Sequence, residues 1–371
     1  MTVRTALRLA VVLMATAVGV AADFTGALAA DPLGTAGPFR SVGWGRCETG
    51  VQAQFTGACD PPPVEESLPA AKRSQAHYER AIRLLSLVRM EQARRAVDAA
   101  IASDPNNVLA LKLRARMNIP GDGGAALADI NAALILAPTD SDLLATRATL
   151  VCGRCDKNAP LRDANEAVRQ NDRNADALWI RARILAELGQ LPAADEDLSR
   201  ALEIEPDYAR ARLLRAQFRM RLGRLKEAAE DADRIIDGGG GNGGGASALQ
   251  VRALARAGLG DWSGAVADLT AILGAPGAPT TASPRMAYFN ELYIQRAIAL
   301  VRLGREPEAM LDFEAVIGLG GRPSILRMQV YLRGNGFPDV PLDGQRSQVL
   351  DDAVKACFVN DACGRGIAQR I

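Results

Sequence analysis

Seven Arg-Ala dipeptides stand in register along the chain, and this periodic series restricts the fold more than any other feature. They are Arg80-Ala81, Arg114-Ala115, Arg147-Ala148, Arg181-Ala182, Arg215-Ala216, Arg252-Ala253 and Arg296-Ala297, with steps of 34, 33, 34, 34, 37 and 44 residues. A period near 34 is the mark of a helix-turn-helix solenoid, in which each unit buries its apolar face on its neighbours. A second ladder runs eleven or twelve residues behind each Arg-Ala, comprising Ala93, Ala126, Pro160, Ala194, Ala228, Ala265 and Ala309. These positions open the second helix of each unit, and small residues there let two helices approach closely.

A third ladder is charged. Asp129, Asp163, Asp197, Asp231, Asp268 and Asp312 follow the arginine of the same unit by fifteen or sixteen residues, while unit one has Ala96 instead. Antiparallel helices bring the two ladders together, so an Arg–Asp pair is predicted within each of units two to seven. Guanidinium and carboxylate match bidentately, and a half-buried arginine needs such a partner. The recurrent arginines are therefore structural and are left out of the candidate binding residues. Aromatic residues make up only 4% of the chain, too few for a β-sandwich or an aromatic platform for nucleic acid. The net charge is +1, and without the first 29 residues 42 basic side chains face 42 acidic ones. Long-range attraction to nucleic acid is not expected.

The fourth unit, with Leu178, Ala182, Leu188-Gly189, Ala194, Leu198, Ala201 and Pro206, resembles the tetratricopeptide repeat family. Leu-Gly turns recur at Leu222-Gly223, Leu259-Gly260 and Leu303-Gly304, and closing prolines at Pro105 and Pro138, so the resemblance spans residues 73–318. It implies an all-α, right-handed solenoid of about seven repeats that binds a protein or peptide in a groove lined by first-helix side chains. Carried onto the best-matched units, those side chains are Asp176, Trp179 and Arg183, then Arg210, Leu213, Gln217 and Met220. Such a mixed apolar and basic lining suits a peptide bearing an acidic group, with Trp179 either an aromatic anchor or the cover of a neighbouring helix. The glycine-rich run 238–245 replaces the proline turn between units five and six, accounts for the 37-residue step and is expected to let the array bend.

The ends of the chain carry other signals. Arg4 and Arg8 precede an apolar run from Leu9 to Ala22, and Ala27-Leu28-Ala29 offers small residues for a peptidase. Residues 1–29 are therefore expected to be a cleaved secretory signal of a bacterial, periplasmic protein, with no membrane span after cleavage. Residues 30–72 lack a helical period and read as an irregular arm. The six cysteines fall into local pairs, Cys47 with Cys59, Cys152 with Cys155 and Cys357 with Cys363, as disulfides of an exported chain would. Cys152 and Cys155 stand at the turn of unit three. They read as a structural staple, or as the thiol-disulfide pair of an enzyme-accessory protein, although the βαβ setting of a redox CxxC motif is missing.

His77 is the only histidine and falls on the packing face of the first helix, which leaves little material for a catalytic triad or a multi-histidine metal site. No phosphate-binding loop is present. No cofactor and no metal is implied, and the chain reads as a binding scaffold, not an enzyme. Beyond Gly321 the period stops. Residues 322–371, with Gln329, Leu332, Gly336-Phe337, Asp343-Gly344 and Ala353, resemble a peptidoglycan-binding-like module, although Arg346, Ser347 and Leu350 depart from its pattern. The resemblance implies a cell-wall site around Gln329, Phe337, Asp343 and Gly344. The residues themselves fit equally a small helical cap stapled by Cys357 and Cys363.

Overall fold

Alternating first and second helices follow from the two alanine ladders, whose members are buried at both ends of the described array, from Ala81 and Ala93 to Ala297 and Ala309. A larger side chain at either position would force the paired helices apart. The computed structural model describes residues 63–119, 121–151, 158–239, 244–274, 286–360 and 363. Repeat one is α1 (Ala70–Ser86) and α2 (Met90–Ser103), repeat two is α3 (Val108–Asn118) and α4 (Gly123–Leu136), and repeat three is α5 (Ser141–Val151) and α6 (Asn158–Gln170). Repeat four is α7 (Ala175–Glu187) and α8 (Leu191–Ile204), repeat five is α9 (Ala209–Arg221) and α10 (Leu225–Asp237), and repeat six is α11 (Gly244–Leu259) and α12 (Trp262–Leu273). Repeat seven is α13 (Met286–Arg302) with the first part of α14 (Glu306–Gly334), and α15 (Gln348–Val359) follows. Among the described residues every regular element is a helix.

The turn chemistry explains where each pair reverses. Gly189, Gly223, Gly260 and Gly304 all adopt a positive φ of 72–89° between the two helices of their repeats, a region that costs a side chain but not glycine. Repeat one has Val88 at the same place, at φ 60° and largely exposed. A β-branched residue is strained there. Between repeats one, two, three and four the next helix is capped by Asn or Asp, whose side chains accept the first free amides: Asn107 from Ala110, Asp140 from Leu143, Asn174 from Ala177. Two of these asparagines also tie neighbours together. Asn107 donates to Ser74 Oγ at 2.8 Å while that hydroxyl donates to the Ala100 carbonyl at 2.7 Å, and Asn174 repeats the arrangement on Ser141 and Ala167 at 2.8 and 2.9 Å.

The chain divides into two compact units after Asp207. Repeats one to four form the first. In the second, repeats five to seven continue into α14 and α15, and a single apolar core joins Leu269 and Phe289 to Phe313, Met328, Leu332, Leu350 and Phe358. Across the glycine run α10 and α11 pack on each other as extensively as the two helices of one repeat, with Ile235, Ala248 and Val251 in one cluster. Gly321, at φ 60° and ψ −157°, breaks α14 where the repeat period ends, and Pro323 opens the second stretch. No helix of the described residues is long and apolar enough to cross a membrane.

Candidate functional site

The first helices are fixed by the charged ladder. All six predicted pairs form, each with the arginine donating through Nε and Nη2 to the two carboxylate oxygens: Arg114 to Asp129 at 2.9 and 2.6 Å, Arg147 to Asp163 at 2.7 and 2.7 Å, and Arg181 to Asp197 at 2.7 and 2.6 Å. Arg215 holds Asp231 at 2.9 and 2.6 Å, Arg252 holds Asp268 at 3.0 and 2.6 Å, and Arg296 holds Asp312 at 2.9 and 2.5 Å. The carboxylates are more deeply buried than their arginines, with side chains 3–19% exposed against 11–31%. Burial of the Asp312 carboxyl pushes it above the usual carboxylate range even beside Arg296.

Two further sets of bonds were not anticipated. The remaining guanidinium nitrogen, Nη1, reaches back to the preceding repeat: Arg114 to Asp98 at 3.2 Å, Arg181 to Asn165 at 3.4 Å, Arg252 to Asp233 at 2.6 Å and Arg296 to Thr270 Oγ1 at 3.1 Å. Each acceptor lies two residues beyond the position of its own repeat's ladder aspartate. The bonds to Asp129 and Asp98 hold the Arg114 guanidinium pKa well above its ordinary value, and those to Asp268 and Asp233 do the same for Arg252. A second arginine, four residues after the first, joins the same carboxylate in repeats five and six, Arg219 to Asp231 and Arg256 to Asp268, both at 2.8 Å. The spacing of four was visible in the sequence as one helical turn.

With this lock occupying one face of each first helix, other faces are left for a partner. In the first unit Arg183 lies over the Trp179 ring with its guanidinium carbon 4.8 Å from the centroid, and both side chains are half-buried. Trp179 Nε1 is buried without an acceptor. Asp176 is exposed one helical turn before Trp179, and Glu205 is raised above the usual carboxylate range by burial and by Asp176. Arg183 thus brings positive charge to an aromatic surface with an acidic edge. Lys112 and Arg116 of α3 extend this polar set within the same unit: Lys112 meets Asp142 at 2.5 Å, and Asn174 donates to that carboxylate at 2.7 Å. Lys112 was not a candidate, because repeat two matches the repeat pattern less closely than repeat four.

The second unit holds the other candidates. Arg210 is exposed and Gln217 half-buried on α9, while Leu213 packs partly against the repeat-five core. Met220 corrects the expectation: it is 3% exposed and lines no surface, because at the end of α9 it shares a core with Leu225 and Ala228 of α10 and Ala248 and Val251 of α11. A polar cavity of about 450 Å³ lies in repeats one and two, lined by Arg94, Asp98, Arg114, Asp122 and Asp129. Its arginines are engaged internally, Arg94 with Asn118 at 2.6 Å and Arg114 with two aspartates.

The residues that suggested a cell-wall site are brought together, but by one another. Gln329, fully buried, donates through Nε2 to Asp343 Oδ1 at 2.8 Å and to the Gln345 carbonyl at 2.9 Å, and its Oε1 accepts from the Gly344 amide at 2.8 Å. Asp343 also accepts from the Gln345 amide, and the Gln329 bond leads in holding its carboxyl below the usual range. Gly344 is at φ 67°, and a β-carbon there would stand 2.7 Å from Arg322 Cγ. Phe337 is partly buried against the shared core. Cys357 and Cys363 form a disulfide, and Tyr331 Oη donates to the Cys363 carbonyl at 3.1 Å. Cys47, Cys59, Cys152 and Cys155 lie outside the described residues, as does the signal-like segment. His77 is half-buried on α1, and its imidazole is lowered below the ordinary histidine range by burial, then by Arg80 and Arg73, against Glu66.

Comparison with known proteins gives a tetratricopeptide repeat family match over residues 185–243. Curated proteins return no match. Among solved structures, a tetratricopeptide repeat protein from Parabacteroides merdae is 20% identical over 67% of this chain and 93% of its own, with a TM-score of 0.44. PilW, a type IV pilus biogenesis factor, is 20% identical over 54% of this chain and 92% of its own, at 0.48. Pseudomonas aeruginosa pilF is 16% identical over 56% and 94%, at 0.49. The matched segment, residues 185–243, is similar to tetratricopeptide repeats, and it carries the same lock and glycine turns as the repeats on either side of it; among the described residues the chain is an all-α array of helix-turn-helix repeats.

Proposed function

We propose that the array is a scaffold that binds a protein or peptide partner through its first helices, in the periplasm of a bacterium. The observation that carries this is the Arg183–Trp179 stack. A half-buried aromatic ring and a guanidinium 4.8 Å from it are presented beside exposed Asp176, on a helix whose opposite bonds are committed to the Arg181–Asp197 lock. Rigid aromatic and arginine side chains concentrate binding energy at interfaces. The partner chemistry is an aliphatic or aromatic side chain on Trp179 with a carboxylate toward Arg183 and a basic group toward Asp176. The Arg4–Ala29 signal-like segment and the Cys357–Cys363 disulfide support export. Cell-wall contact through residues 322–371 is the narrower form of the proposal and rests on the motif resemblance.

The test is co-purification from cross-linked cells with Trp179→Ala and Arg183→Glu. Both are expected to lose a partner that the parent chain retains, while circular dichroism shows each variant folded at the temperature of the assay. Retention of all partners by both variants would overturn the proposal. Co-sedimentation of the full chain with peptidoglycan, with and without Phe337→Ala, tests the narrower form, which fails if the parent chain stays in the supernatant.

A further inference from the structure

The seven first helices can be compared at the positions two residues before and two residues after the recurring arginine, where Trp179 and Arg183 stand in repeat four. The corresponding pairs are Tyr78 and Ile82, Lys112 and Arg116, Ala145 and Thr149, Leu213 and Gln217, and Gln250 and Leu254. Apart from Ala145, each of these side chains is part-exposed. Repeat seven differs: Ile294 is 1% and Ile298 6% exposed. Both belong to one core with Leu350, Val354, Cys357 and Phe358, and α15 packs on α13 as well as on α14.

The difference fixes where α15 lies. A helix that merely continued the stack would pack as the first helix of each following repeat does, and that packing leaves these two positions, Ala145 apart, part-exposed within the first unit and again in repeats five and six of the second. We infer that α15 closes the first-helix groove at repeat seven as a built-in occupant, so that within residues 208–363 the stretch open to a partner ends at repeat six. This deepens the groove assignment of the proposed function and rests on it for the word partner; the closure itself does not depend on any partner. The anchoring follows from the chain: Gly321 turns α14, Gln329 clamps the Asp343–Gln345 loop, and the Cys357–Cys363 disulfide fixes the far end of α15. The open stretch, lined by Arg210, Leu213, Gln217, Gln250 and Leu254, fits a short segment that offers a carboxylate to Arg210, amide hydrogen bonds to the glutamines and aliphatic side chains to the leucines.

Thiol labelling in the full-length chain tests the closure without a partner. Gln217→Cys, Leu254→Cys and Ile298→Cys are each reacted with a maleimide, and the reactivity of the parent chain is subtracted. Leu254→Cys and Gln217→Cys are expected to label at least ~100-fold faster than Ile298→Cys, the ratio set by the cost of locally opening α15. Adding Val354→Ala, which trims the covering helix, is expected to speed labelling of Ile298→Cys and leave the other two unchanged. Equal rates at all three sites, or a rate at Ile298→Cys that ignores Val354→Ala, would overturn the inference. Loss of partner capture with the labelling ratio intact would instead count only against the proposed function.

Discussion

Replacing Asp231 with asparagine tests whether burial sets the strength of the recurring lock. Asp231 accepts from Arg215 Nε and Nη2 at 2.9 and 2.6 Å and from Arg219 Nη1 at 2.8 Å, with its side chain 3% exposed and those of the arginines 11% and 16%. Asparagine keeps the shape but removes the charge, so two guanidinium groups face each other with little water. Breaking a buried pair from one side costs about 3–5 kcal/mol. Asp163 provides the contrast: it is 19% exposed beside Arg147 at 31%, and Asp163→Asn is expected to cost only about 1–2 kcal/mol. Repeat arrays open locally, so native-state hydrogen exchange in α9 and α10, and in α5 and α6, is the appropriate assay. Adding Arg219→Gln to Asp231→Asn is expected to recover about 1 kcal/mol by removing one of the two like charges around the site. A cost below about 1 kcal/mol for Asp231→Asn, or one no larger than that of Asp163→Asn, would refute the reasoning.

Other outcomes follow from particular residues. Val88→Gly relieves a positive φ at an exposed turn and is expected to stabilise the first unit by about 1 kcal/mol in urea titration. Gln329→Leu strands the Gly344 amide and the loop carbonyl of Gln345, and is expected to cost about 2–4 kcal/mol and to expose residues 342–347 to hydrogen exchange. Because folding lowers the His77 pKa, the unfolded chain takes up its proton first as pH falls. Stability of repeat one is therefore full above the ordinary histidine range and declines as pH drops through it, a decline that His77→Gln should flatten in urea midpoints taken between neutral and mildly acidic pH.

Much of the fold was legible because repetition makes one physical argument count several times. An arginine and an aspartate fifteen or sixteen residues apart could be coincidence once, but six such pairs demand a helix-turn-helix in which they meet. The reach of each guanidinium into the preceding repeat was not legible, since it depends on how far one repeat is displaced from the next, and no single-repeat spacing reports that. Met220 was misplaced for a related reason: it shares a face of α9 with Leu213 and Gln217, but at the end of that helix it is enclosed with residues of α10 and α11, and the pattern of a single repeat does not show that. Gln329, Asp343 and Gly344 were identified together from the motif, as a cell-wall site or as part of a helical cap, and their donors and acceptors meet one another, which no spacing in the sequence reports. The closure at repeat seven had a sequence trace in Ile294 and Ile298, two β-branched aliphatics where repeats four, five and six each carry at least one polar or charged side chain.

The most direct test of the account is a photo-crosslinking scan in living cells, with the reactive residue placed in turn at Ile82, Arg116, Thr149, Arg183, Gln217, Leu254 and Ile298, and on the outer faces of the second helices at Asn131 and Glu230. The account predicts that a partner is captured at one or more of the first six positions, with Arg183 among them, and none at Ile298, Asn131 or Glu230. Capture confined to Asn131 or Glu230, or as strong at Ile298 as at Leu254, would contradict it.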